Sequence, residues 1–206
     1  MNPNAYSATA RAFHWAIAGL VLLATGLTLF RETFGPWDVW MISAHKVVGL
    51  AILVVAVIRL AWRLRHQQPP KPPELGRREA TFASSIHWLM YVLAVLVPAA
   101  GWIFVSLAPQ ERPLDYRGLN SIPELPLAAN DSASFAWHEI HEILGFVFVG
   151  LFLLHFAGLL RHYVRGHRDV AERMLPRSRS ARLLIAAVVV LWILGLAMDF
   201  FSVQLL

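Results

Sequence analysis

The chain has no cysteine. A disulfide scaffold, an iron–sulfur cluster, covalent c-type haem attached through C-x-x-C-H and a thiolate nucleophile are therefore all excluded. Charge is scarce as well. Asp, Glu, Lys and Arg make up 15% of the 206 residues, against about 25% in an ordinary soluble domain. So little charge rules out a disordered or solvated chain. Apolar residues are abundant at 57%, and nine histidines stand among them. A cofactor in this chain has to be held by side chains other than cysteine, and histidine is available.

Hydropathy divides the sequence into five apolar segments, at about 12–30, 40–62, 83–107, 136–160 and 183–203, each long enough to cross a bilayer. The runs are continuous and lack period-2 alternation, so they predict helices and not barrel strands. The first follows Arg11 and is too long for the apolar region of a signal peptide. No small-x-small cleavage site closes it, so it reads as a retained span. The expected fold is an all-α integral membrane protein, with a four-helix bundle over 1–180 and an additional transmembrane helix over 181–206.

Basic residues orient this arrangement. The stretches Arg63–Ala80 and Arg161–Arg182, with Arg11 and Arg59, hold 14 of the 18 Lys and Arg on one side. The positive-inside rule makes that side cytoplasmic, so the N-terminus lies inside and, after five spans, the C-terminus lies in the periplasm of a bacterial inner membrane. The opposite side carries the turn at Gly35-Pro36 and the long stretch Ala108–Phe135, with Glu111, Asp115, Glu124 and Asp131 beside Arg112 and Arg117. The net charge of +5 is accounted for by topology and anionic lipid, and no nucleic-acid partner is expected. Gln67–Glu74 (QQPPKPPE) reads as a semi-rigid turn, and Pro98 as a kink in the third helix.

Histidines inside a membrane are costly and call for partners. His141 and His155 are 14 residues apart in the fourth segment. At 100° per residue they project from nearly one helical face, about 21 Å apart along the axis. His14 stands near the cytoplasmic start of the first segment and His45 near the outer start of the second. Each membrane level thus has one single histidine and one from the fourth helix: His45 with His141 outside, His14 with His155 inside. Two stacked six-coordinate irons need this arrangement, because an iron porphyrin takes axial ligands from both sides of its plane and neutral imidazole suits iron. Without cysteine, two non-covalent b-type haems are expected.

Gly49, Gly145 and Gly158 lie one turn after His45, His141 and His155 and either admit a flat macrocycle or simply pack helices. His138, one turn before His141, is an alternative outer ligand, although it is rotated about 100° from the His155 face. His87 and His162, on the cytoplasmic side, are candidates for propionate or quinone contacts, while His66 and His167 read as solvated. Arg59 either snorkels or pairs with an inner propionate. Lys46 has the same choice outside. HEIHE at 138–142 is not H-E-x-x-H, so a zinc protease is disfavoured.

Several stretches together resemble the bacterial cytochrome b561 proteins: YSATARAFHW, SAHKVVG, VIRLAWRLRHQQPPKPP, IHWLMYVLAVLVPAAGW, WHEIHEILGFVFVGLFLLHFAGLLRHY and ERMLPRSRS. The resemblance spans residues 6–180. It implies a four-helix cytochrome with two b haems whose axial ligands, carried over by motif position, are His14, His45, His141 and His155. It also implies electron exchange with membrane quinone such as ubiquinone, and, as in some members, oxidation of superoxide at the outer face. The extra WHE at His138 and the fifth helix depart from the family pattern.

The expected function is therefore transmembrane electron transfer by an oxidoreductase linking a periplasmic donor, with superoxide as one candidate, to quinone. Arg31, Lys46, Arg112 and Arg117 are the outer cations available to steer an anion, and Ala108–Phe135 is the expected outer lid. An anchor subunit passing electrons from a partner dehydrogenase such as a hydrogenase looks the same in one chain. A histidine-lined metal-ion transporter is a third reading, disfavoured because Glu139, Glu142 and Asp199 are shallow. Self-association as a homo-oligomer is left open by the sequence.

Overall fold

The computed structural model describes residues 5–29, 38–70, 76–109, 122–167, 170, 172–175 and 178–203. Among them the chain forms five α-helices and no strand: α1 (Ala8–Leu29), α2 (Asp38–Arg65), α3 (Arg77–Leu107), α4 (Asp131–Val164) and α5 (Arg179–Val203). The first four are each long and apolar enough to cross a membrane, while α5 carries a shorter apolar stretch, Ile185–Gly195, among its described residues. With its extra C-terminal helix, this multi-pass bundle is the architecture expected from hydropathy.

The helices overrun the apolar segments. Arg63 and Arg65 belong to the last turn of α2, and α3 begins at Arg77. His87 therefore lies well inside α3, and His162, beyond the apolar segment 136–160, lies in the last turn of α4. The reason is that long basic side chains reach back to water from helical backbone, so a helix need not stop where the hydrocarbon does. α3 also runs unbroken through Pro98. Pro69 and Pro70, by contrast, lie outside helix, after the end of α2.

Local chemistry marks the ends. The Ser7 hydroxyl accepts from the Ala10 N–H at 3.1 Å, and the Asn130 side chain caps α4 by accepting from the Ala133 N–H at 2.9 Å. Beyond α3 the chain returns along that helix. Trp102 Nε1 donates to the Pro123 carbonyl at 2.7 Å, and the Leu125 N–H donates to Ser106 Oγ at 3.0 Å. At the other end Arg161 and Glu79 pair at 2.6 Å, Arg173 donates to the Pro70 carbonyl, and Trp15 Nε1 donates to the Met174 carbonyl at 2.8 Å. These ends are called here the acidic and the basic end.

α1 packs on α2, α2 on α3 and α3 on α4, with α5 laid against α1. A core of Ile17, Val21, Ala24, Ile52, Ala56, Leu93, Ala94 and Phe148 joins the first four helices at mid-height. Outward-facing Val54, Val57, Val92, Leu96, Ile143, Phe146 and Val147 remain exposed, as lipid-facing residues are. The expected steering residues Arg31, Arg112 and Arg117, and positions 110–121 of the expected lid, lie outside the described residues.

Between α3 and α4 lies Ser134, fully buried and donating to the Phe104 carbonyl at 3.3 Å. Seven residues on, His141 shares that face of α4. Replacing Ser134 by Leu should force the helices apart and cost about 1–3 kcal/mol, read as a lowered midpoint of thermal unfolding in detergent, whereas Ser134→Ala should cost less.

Candidate functional site

The mid-height core separates two clusters of histidine, one toward each end of the bundle. α2 runs from the acidic end and brings His45 inward. α4 runs the same way and presents His141 opposite it, so that the two ring centres lie 6.0 Å apart and nearly perpendicular, at 86°. At the basic end α1 contributes His14, whose ring centre is 6.3 Å from that of His155 on α4. Two imidazole nitrogens about 2 Å from one metal ion, with about 1 Å more from each nitrogen to its ring centre, put the ring centres about 6 Å apart. Both pairs have that spacing. His162 and His167 are also 6.3 Å apart, but they share one short stretch folded back by the turn at Gly166, so spacing there follows from local backbone and does not join two helices.

Hydrogen bonds determine which ring nitrogen is available. His45 Nδ1 lies 2.9 Å from the Ala24 carbonyl on α1, and His141 Nδ1 lies 2.8 Å from the Val97 carbonyl on α3. A carbonyl can only accept, so each imidazole donates from Nδ1. In the neutral ring Nε2 then carries the lone pair, the tautomer that a ligating histidine needs. His141 also rests against bare backbone. A Cβ built on Gly101 would lie 2.9 Å from both Cε1 and Nδ1 of that ring, so any larger residue there would displace the imidazole.

The basic-end cluster is built differently. Arg59 Nη2 lies 3.4 Å from His14 Nδ1, a long bond in which only the guanidinium can donate while Nδ1 holds a lone pair. In this bond His14 Nδ1 accepts, whereas His45 Nδ1 donates to a carbonyl. Arg59 and Arg63 both stack over Tyr91, at 4.9 and 5.1 Å from its ring centre, and they line a narrow cleft with Tyr6, Trp62 and Met174. His87 is the third histidine here, 5.1 Å from the His155 ring, which is closer than two ligands across one metal would stand.

His138 does not face His45. It packs edge-on against Phe104 at 4.9 Å and lies 3.7 Å from Glu139. His138, Glu139 and Glu142 bring one ligand atom each within 4.8 Å of one another, on partly or fully exposed side chains. Lys46 is half-buried beside His45. His66 is exposed and stacks on Trp62 at 4.2 Å. The glycines picked out by helical spacing meet no protein: a Cβ at Gly49, Gly145 or Gly158 would find nothing within 4 Å. Those positions border open space. The glycine pressed by a histidine, Gly101, lies on the facing helix instead, where spacing along the histidine's own helix does not point to it.

Two levels of opposed imidazoles, with open space beside them and arginines at one end, suit the donor set of bis-histidine b haem. Comparison with known proteins agrees. The chain is similar to cytochrome b561 homolog 2 of Escherichia coli, with 28% identity over 181 residues covering 86% of this chain and 95% of that one. It is equally similar, at 28% over 189 residues, to a Yersinia pestis protein named as a probable superoxide oxidase, CybB, covering 85% and 98% of the two chains. A cytochrome b562 of Cereibacter sphaeroides matches over 96 residues at 35% identity, 43% of this chain and 58% of that one. The family model for prokaryotic cytochrome b561 matches residues 5–177, so that α5 lies beyond it. On that match, the chain belongs to the prokaryotic cytochrome b561 family, membrane proteins that bind b-type haem and transfer electrons.

Proposed function

We propose that this protein carries electrons across a bacterial inner membrane between a donor at the acidic, periplasmic end and membrane quinone, using two b haems. One haem is held by His45 and His141, the other by His14 and His155. The observation that carries this reading is the occurrence of two cross-helix imidazole pairs, 6.0 and 6.3 Å apart, at opposite ends of one bundle. The positive-inside rule supports the orientation, with the basic end cytoplasmic.

Bound haem supplies a one-electron iron couple at each level. The chain's own residues do the rest. The Ala24 and Val97 carbonyls hold the His45 and His141 rings in register and raise their basicity. The core around Ala56, Leu93, Ala94 and Phe148 keeps water out between the levels. Arg59 supplies positive charge for the carboxylates of the inner group, and His87, exposed beside His155, is placed to exchange a proton with bound quinone. The name of the Yersinia pestis relative favours superoxide as donor. Two superoxide ions would each give up one electron and leave as dioxygen, and one quinone would take both electrons with two protons. Lys46 is the described cation at the outer level suited to attract the anion.

Purified protein should show a reducible low-spin b-type spectrum with two haems per chain by pyridine haemochrome; a colourless preparation would sink the proposal. His45→Ala or His141→Ala should remove one centre and His14→Ala or His155→Ala the other, while His138→Ala should leave both. Gly101→Ala should lower occupancy of the His45/His141 centre at least twofold, because the added methyl collides with the imidazole. Arg59→Met should loosen the inner haem, measured as faster loss to apomyoglobin, and Arg59→Lys should restore most of its retention. Superoxide-driven quinone reduction should fall several-fold in Lys46→Gln; quinone reduction only with a co-purifying dehydrogenase would favour the anchor reading.

A further inference from the structure

α5 lies outside the stretch that matches the family, yet its central tryptophan is among the better buried residues of the protein. Trp192 is 5% exposed. Its indole Nε1 donates to Thr25 Oγ1 on α1 at 2.7 Å, and the Thr25 hydroxyl in turn donates to the Val21 carbonyl at 2.8 Å. The indole ring meets Phe152 of α4 edge-on, 5.3 Å between centres. Trp192 therefore touches both α1 and α4.

The position of Thr25 gives that contact a chemical consequence. The Ala24 carbonyl belongs to the peptide unit that joins Ala24 to Thr25, and it is the group that accepts from His45 Nδ1 at 2.9 Å. A peptide unit is planar and moves as one body. Holding Thr25 from one side thus holds the carbonyl that orients His45 on the other. A lone hydroxyl at this depth could bond only within its own helix, and the indole N–H gives it a second, inter-helical partner where no water competes.

We propose that Trp192 is a positioning residue for the outer haem: through Thr25 and the Ala24 carbonyl, α5 fixes the ring of the axial ligand His45. A firm Nδ1–H bond to a carbonyl makes the imidazole a stronger donor to iron and favours the ferric state. Weakening the bond therefore raises the midpoint potential of that centre. The inner centre, held by His14 and His155, does not use this peptide and keeps its potential.

The inference rests on the reading that His45 holds a haem. The test is potentiometric titration of both centres in the purified full-length protein, with the outer one identified by its loss in His141→Ala. Trp192→Phe keeps the ring against Phe152 and removes only the N–H, while Thr25→Val removes the acceptor from the other helix. Each should raise the outer midpoint and leave the inner one unmoved. The double variant should shift no further than the larger single one, and Thr25→Ser, which restores the hydroxyl, should return the outer midpoint to its original value. An outer midpoint that stays or falls in both variants, equal shifts of both centres, or additive shifts in the double variant would overturn the inference while leaving the haem reading intact. Protein without haem would remove both.

Discussion

Within hydrocarbon, a polar group must find its partner inside the protein, and the packing of this bundle is organised around how the imidazoles meet that demand. His45 reaches across to the backbone of α1 and His141 to the backbone of α3. Each bond links two helices and at the same time decides which ring nitrogen is left for other chemistry. Among the described residues, no buried side-chain nitrogen or oxygen lacks a hydrogen-bond partner. The apolar core between the histidine levels is built from small and branched side chains such as Ala24, Ala56 and Ala94, which let the backbones come near enough for these bonds to form.

The two ends answer the same demand in different ways. At the acidic end carbonyls hold the ring protons, and Gly101 clears the space for one of the rings. At the basic end Arg59 meets His14 and His87 meets His155, with Tyr91 under Arg59 and Arg63, groups that can exchange protons or bind anions. In the proposed function one end is built for a fixed redox centre, and the other for a centre that must also deal with the carboxylates of its cofactor and the protons of quinone. Residues before α5 also reach that basic end. Met174 and Arg173 bond to Trp15, to the backbone of Tyr6 and to Pro70, so the approach to α5 is tied to the starts of both α1 and the α2–α3 connection.

Much of the architecture could be read directly from residue pattern. Continuous apolar runs specify helices because a bilayer leaves backbone polar groups no partner outside their own segment, and the periodicity of α4 places His141 and His155 on one face. Helix ends were less legible, since arginine stems carry helical backbone past the hydrocarbon boundary: α3 starts ten residues before His87. Helical spacing did not point to Gly101. Gly49, Gly145 and Gly158 follow histidines along their own helices, whereas the contact that forbids a side chain is made between helices, by His141 on Gly101.

What the sequence by itself determined is the membrane as solvent, the helical class, the exclusion of thiolate chemistry, and the two depths at which histidines fall. These follow from composition and from the fixed rise and twist of a helix. Only the tertiary structure decided that His138 turns toward Phe104 while His141 meets His45, that the Ala24 and Val97 carbonyls take the ring protons, and that Trp192 joins α5 to the helix orienting His45. The reason is physical. A backbone carbonyl is the same group in every residue, so which one an imidazole finds depends on how helices distant in sequence are packed.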